Sequence, residues 1–240
     1  YNPSPICHCR RPCKTPVFPR TASQSPDMRL VLKPAHSAFT VVELMFVIGT
    51  IMLALFVVPL ATKTRCGGRQ VVCMVNQKVI AISFLLWAND HDNRFPMELS
   101  QTNGGTLEST YAGLANPTFL ALSNELIVPK ILVCPEDRNP RPAVSFASLS
   151  STNLGYFFNI DASPTNIARI LTGEGDMAVN GAMTNGLVTF TSPGMVSWNR
   201  SRHRGDGYIS LPDGSAHYTS TKNLRDLFRR GGETNRLVFP

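Results

Sequence analysis

Hydrophobic and polar residues segregate along this chain into three regions. Residues 39–61 form an apolar run of 23 positions in which Glu43 carries the only charge. At 1.5 Å rise per residue, a helix of that length crosses the roughly 30 Å hydrocarbon core of a bilayer. A transmembrane helix is therefore predicted. A carboxylate inside such a segment costs about 2.5–3.5 kcal/mol on insertion scales, which makes Glu43 a functional candidate. Near the mouth of the span, snorkelling to the interface is its plainer explanation. Pro59 ends or kinks this helix, and Gly67-Gly68 is a second weak point. Helical periodicity then resumes: Cys73, Ile80, Phe84 and Trp87 follow one another at seven, four and three residues, on one stripe. Asn89-Asp90-His91-Asp92-Asn93 stops the pattern with turn formers, and its alternating oxygen side chains lack the Gly and terminal Glu of an EF-hand loop. The pattern predicts one broken helix of about fifty residues whose outer half must lay an apolar stripe on a partner surface.

Past Pro96 the texture changes. Ile131-Leu132-Val133, Gly155-Tyr156-Phe157-Phe158, Leu187-Val188-Thr189-Phe190 and Tyr208-Ile209-Ser210-Leu211 are short β-prone segments separated by Gly, Pro, Asn and Asp. Asp213-Gly214 is a hairpin dipeptide between the last of these and Ala216-His217-Tyr218-Thr219. A short helix is predicted over 223–230. The expected class is α+β, a long N-terminal helix packed on a small antiparallel sheet. The divisions are 1–38, a basic leader or upstream segment; 39–61, the membrane span; 62–92, its amphipathic continuation; and 93–240, a β-rich extracytoplasmic domain.

Charge orients that arrangement. Residues 1–38 hold six Lys/Arg against one acid, whereas 39–240 hold 17 against 15, so the formal +7 lies mostly ahead of the span. That is the positive-inside signal, with the N-terminus cytoplasmic and the C-terminal domain outside. It is not the basic folded surface that nucleic-acid binding requires. A cleaved secretory signal is the rival reading; the run is too long for its apolar core, and no A-x-A-like site occurs over 59–65. Met28 would open an 11-residue leader ending at Ala38, leaving 1–27 as upstream sequence. Cys7, Cys9 and Cys13 around His8 suggest half of a metal knuckle whose second half is missing.

The stretch Ala38-Phe39-Thr40-Val41-Val42-Glu43-Leu44 resembles the processed N-terminus of the type IV pilin and type II secretion pseudopilin superfamily. Members carry a short basic leader, a small residue at the cut, Phe-Thr-Leu-Ile-Glu-Leu, and about twenty apolar residues. This chain has Ala38 where the family almost always has Gly. The resemblance continues through Cys73-Met74-Val75-Asn76-Gln77-Lys78, Trp87 to Pro96, Cys134-Pro135-Glu136-Asp137, Tyr156-Phe157-Phe158-Asn159, and His203 followed after nine residues by Asp213-Gly214. It looks like the bacterial prepilin-type proteins with a His-x9-Asp-Gly domain. The resemblance implies cleavage between Ala38 and Phe39 by a prepilin peptidase, N-methylation of Phe39, and Glu43 as the assembly residue. It implies a non-enzymatic filament subunit, stored single-pass in the inner membrane, whose partners are related subunits and an assembly platform. Pilus and secretion system remain alternatives.

In the soluble region, His203, Asp206, Asp213 and His217 are candidate ligands for a divalent metal on neighbouring strands. A plain Asp213-Gly214 turn hydrogen-bonded by His203 is the other reading. No catalytic or phosphate-binding motif occurs. The rival function is a membrane-anchored extracytoplasmic enzyme, or a metal- or ligand-binding protein, using the His203/Asp213 region. Arg200, Arg202, His203 and Arg204, like Arg225, Arg229 and Arg230, read as solvated faces. On a continuous helix Cys66 and Cys73 lie about 10.5 Å apart along the axis, too far for a disulfide unless Gly67-Gly68 breaks it. Cys134 remains, and the resemblance puts Cys73 on the covered helix face, which favours Cys73–Cys134 over two packed thiols.

Overall fold

The computed structural model describes residues 40–137, 141–199, 202–203 and 205–240, apart from the side chains of 56–67. The leader, Ala38, Phe39, the Cys7, Cys9, Cys13 and His8 group, the Cys66 side chain, Arg200 and Arg204 lie outside the described residues. The chain divides into two units, Tyr1–Cys66 and Gly67–Pro240, with the boundary at the Gly67-Gly68 pair.

Helix α1 covers Val41–Asn89. In the first unit Thr40 starts it: its hydroxyl accepts the Glu43 N–H at 3.3 Å, and its carbonyl accepts the Leu44 N–H at 3.1 Å. That side chain satisfies one of the open N–H groups of the first turn, and Glu43 lies at the positive end of the helix dipole. Val41–Leu55 is an apolar helical stretch. Its side chains are exposed within the unit, Phe46 by 75%.

In the second unit the same helix has another character. Gly68–Asn89 is long and apolar enough to cross a membrane by length and composition, yet much of its inner face is buried inside the unit. Cys73, Ile80, Phe84 and Trp87 are 0–4% exposed, so the stripe predicted from the sequence is the inner face of a core helix. Phe84 meets the edges of Phe95 and Phe119 at centroid distances of 5.5 and 6.5 Å. The acidic run ends α1: Asp92 and Asn93 take positive φ, the Nδ1–H of His91 donates to the Trp87 carbonyl at 2.7 Å, and its ring stacks on Trp87.

The segment after α1 differs from its expected β texture. Three short helices follow: α2 Leu107–Tyr111, α3 Asn116–Ala121 and α4 Ser123–Leu126. Ile131 and Leu132, predicted as strand, lie in a 3₁₀ turn, Pro129–Leu132. Pro129 presets the φ of a helical first turn, and the segment joins no sheet. The helical region is pinned from inside by three buried threonines: the hydroxyl of Thr118 lies 2.9 Å from that of Thr106 and 3.4 Å from that of Thr110.

The strands are β1 Tyr156–Asn159, β2 Thr172–Glu174, β3 Met177–Val179, β4 Ala182–Met183, β5 Gly186–Phe190, β6 Val196–Trp198, β7 Asp206–Ser210, β8 Ala216–Ser220 and β9 Asn235–Phe239, with α5, Thr221–Gly231, between the last two. They form a six-stranded sheet in the order β5-β9-β1-β2-β7-β8 and a three-stranded sheet β4-β3-β6. Every pairing is antiparallel. Strand β1 explains the layering through its two-residue period. Tyr156 and Phe158 join the core of α1, whereas Phe157 joins that of α5, with Leu224 and Phe228. The second unit is thus α+β, with a helix on each face of the larger sheet. The β7–β8 hairpin turns where predicted, with Gly214 at φ 81°.

Gly207 in β7 lies under Trp198. A Cβ there would stand 2.8 Å from three carbons of the indole. Gly207→Ala is expected to cost about 1–3 kcal/mol through this overpacking, seen as a lower denaturant midpoint; an unchanged midpoint would place the indole elsewhere.

Candidate functional site

Helix α1 presents Cys73, Asn76 and Gln77 from adjacent turns toward the sheet. Asn76 Nδ2 donates to the Val133 carbonyl at 3.2 Å, which ties the helix to the loop carrying Cys134. Gln77, fully buried, accepts from the Thr172 hydroxyl at 2.5 Å. Cys73 and Cys134 are joined as a disulfide with Cα atoms 5.4 Å apart, within the ordinary range for such a bridge. Glu174 closes β2 opposite Tyr156. His203 lies between β6 and β7 in a turn that holds it at φ 39°.

His203 is buried at 2% exposure, and its Nε2 lies 2.9 Å from Glu174 Oε1 and 3.4 Å from Cys134 Sγ. Its Nδ1 is 3.3 Å from Glu136 Oε2, and its backbone N–H donates to the same oxygen at 3.4 Å. Tyr208 meets the ring edge-on at 5.1 Å. Single ligand atoms of Cys73, Cys134, Glu174 and His203 all lie within 4.8 Å of one another, and all four residues are buried. Beside them Arg202 pairs with Asp137, and its Nε lies 3.9 Å from Asp176.

Among the described residues acid outweighs base here. Glu136, Asp137, Glu174 and Asp176 surround Arg202 and His203. Glu174 Oε2 and both Asp176 oxygens have no hydrogen-bond partner among the described residues. Burial pushes Asp176 up to about 7, against the pull of Arg202. Burial alone would lower His203; the hydrogen bond and charge of Glu174, with Glu136 and Asp176, outweigh it and hold the imidazole above its ordinary value. Burial also raises the Tyr156 phenol, with Glu174 adding to it. Among the described residues this pocket holds more acid than base.

Of the four metal-ligand candidates read from the sequence, only His203 is in this cluster. Asp206 accepts from the Tyr218 hydroxyl at 2.5 Å. Asp213 accepts from the N–H and hydroxyl of Ser215 at 2.9 and 2.6 Å, bonds that hold its carboxyl below the usual range. His217 lies 2.9 Å from the same hydroxyl. Asp213-Gly214 therefore builds its own turn, and His203 bonds Glu174 instead. The reading of Arg202 and His203 as a solvated face is overturned as well: the Arg202 side chain is 12% exposed, because its carboxylate partners come from distant segments. In the other basic group, Arg229 pairs with Asp226 at the surface and Arg225 donates to the Val196 carbonyl.

Glu174 and Asp176 are absent from the candidates that the sequence suggests. The available signal is two acids, each next to glycine, between the apolar runs Ile170-Leu171 and Met177-Ala178-Val179. A buried segment rarely carries unpaired acids without a reason. Searches of protein-family models, of curated proteins and of solved structures each found no match to this chain.

Proposed function

We propose that this chain is a structural subunit of a filament of the type IV pilus or type II secretion pseudopilus kind. It is held single-pass in the inner membrane through 39–61 until a prepilin peptidase releases the leader and an assembly platform extracts it. The observation that carries this reading is Glu43, a lone carboxylate in the first turn of an exposed apolar helix, behind a basic segment. A single charge there serves a partner charge better than it serves a lipid tail. The described apolar stretch ends at Leu55; the remainder of the span, to Ala61, is read from the sequence. The Gly67–Pro240 unit would stand outside the membrane on the core helix Gly68–Asn89, an arrangement in keeping with a pilin-like fold.

Mass spectrometry of membrane-extracted protein tests it. The expected N-terminus is Phe39, carrying one methyl group. An N-terminus at Met28, or one beyond Ala61, would end the proposal. A second reading, a membrane-anchored binding protein, is favoured by one observation: the buried group of sulfur, imidazole and carboxylate around His203.

A further inference from the structure

We propose that Cys73, Cys134, His203 and Glu174 form a binding site for a thiophilic divalent cation of the zinc class when the two cysteines are reduced, and that the disulfide closes the same site when they are oxidised. The site lies wholly within the second unit and is the same whether or not the chain enters a filament.

Two thiolates, one imidazole nitrogen and one carboxylate oxygen are a donor set that zinc accepts in tetrahedral geometry. Bond lengths of about 2.0–2.3 Å imply donor atoms roughly 3.3–3.8 Å apart. Here Nε2 stands 2.9 Å from Oε1 and 3.4 Å from Cys134 Sγ, with all four donors within 4.8 Å. Breaking the bridge lets the sulfurs part, and small side-chain rotations complete the tetrahedron. The donors come from α1, the loop after the Pro129–Leu132 turn, the end of β2 and the turn before β7. A cation would therefore cross-link the unit at the place where the disulfide does.

Three further observations point to a cation. Glu174 is fully buried, and its Oε2 has no hydrogen-bond partner among the described residues. Among the described residues the surrounding carboxylates outnumber the cationic side chains. Glu136 Oε2 lies 3.3 Å from His203 Nδ1, too poorly aligned for a hydrogen bond here, and puts a carboxylate charge on the outer side of the ring while Nε2 faces Glu174 and Cys134.

The redox step balances with a dithiol or phosphine as reductant. Two electrons and two protons convert the disulfide to two thiols: a dithiol supplies both and becomes its own disulfide, whereas a phosphine takes the oxygen of one water, whose two protons go to the sulfurs, and becomes phosphine oxide. The incoming cation then displaces both thiol protons and any proton on Nε2. Once bound, it engages one lone pair on each sulfur and slows reoxidation.

The test uses the detergent-solubilised chain in which Cys7, Cys9, Cys13 and Cys66 are replaced by serine, so that Cys73 and Cys134 are its remaining cysteines. Reduced with a phosphine and freed of metal, it is titrated with zinc against a chromophoric chelator, and separately with cobalt. One equivalent is expected, with the thiolate-to-cobalt charge-transfer band and strong visible bands of a four-coordinate site; the oxidised chain should bind none. Glu174→Gln, nearly isosteric, should weaken zinc by about 10-fold or more, and Cys134→Ser and His203→Gln by about 100-fold. Asp206→Asn and His217→Gln should leave affinity unchanged. Circular dichroism of each variant separates lost ligation from lost folding, and Glu174→Gln decides the matter if a cysteine variant unfolds. No binding by the reduced chain, equal binding by the oxidised chain, or full affinity in folded Glu174→Gln would overturn the proposal.

Discussion

Arg202→Ala should cost the Gly67–Pro240 unit about 3–5 kcal/mol at pH 8, the range for removing one partner of a buried ion pair. Arg202 is 12% exposed on its side chain, with Asp137 and Asp176 beside it at 5% and 1%. Without it the buried Asp176 loses its nearest described cation, in a pocket that already holds Glu174. The cost should fall with pH. Asp176 has its folded pKa raised to about 7 from an ordinary value of 3.8, so the folded state binds a proton that the unfolded chain has released. This group's contribution to stability therefore declines as pH rises from about 4 to about 7. Below about pH 7 folded Asp176 is mostly neutral and has little need of the arginine; above it the carboxylate is charged and the variant bears the penalty. His203, also raised, acts in the same direction, its contribution being lost as pH rises through its folded pKa. Denaturant unfolding of oxidised, chelator-treated protein at pH 5 and pH 8 measures the difference. Adding Asp176→Asn should recover part of the loss at pH 8 and little at pH 5. A loss below about 1 kcal/mol at both pH values would return Arg202 to a solvated role.

Glu43→Ala should insert into the membrane normally and fail to assemble. Removing the carboxylate lowers the insertion cost of the 39–61 segment by at most about 2.5–3.5 kcal/mol, the value for a charge at the helix centre, so membrane levels should hold or rise. In the proposed filament Glu43 faces the N-terminal amine of a neighbour's Phe39, and the two charges are buried together. Deleting one leaves the other uncompensated at a cost of about 3–5 kcal/mol per contact, a hundredfold or more in the association constant. Filament yield by shearing and immunoblot should collapse while membrane-bound subunit persists. Glu43→Asp, which keeps the charge on a shorter arm, should restore part of the yield. Normal filaments from Glu43→Ala would remove Glu43 from this role and leave snorkelling as its explanation.

Helical and strand periods are readable because each is a local code. The stripe Cys73, Ile80, Phe84 and Trp87 repeats within one turn or two, and all four residues are buried. The strands at Tyr156, Leu187 and Tyr208, the hairpin at Asp213-Gly214, and α5 follow from β-branched and aromatic runs, turn formers and spacing. Helices α3 and α4 escape such a reading although Phe119, Leu122 and Leu126 stand at helical intervals, because each helix is too short to register as periodic. Ile131 and Leu132 show the opposite error: strand-prone side chains without a strand beside them do not make a strand.

The site divides along the same line. From its own residues the chain shows the apolar run with Glu43, the charge asymmetry, the inner stripe of the core helix, and the cysteines and His203 as chemistry-bearing residues. Only the tertiary structure decides what His203 faces. Its partners Cys134 and Glu174 are 69 and 29 residues away, and the disulfide spans 61. Asp206, Asp213 and His217 are nearer in sequence but bond within their own hairpin. Periodicity reports hydrogen bonds and burial within a few residues of the chain. The burial that raises Asp176, and the meeting of sulfur, imidazole and carboxylate, depend on which segments pack together, because desolvation and Coulomb energies are set by distance in space.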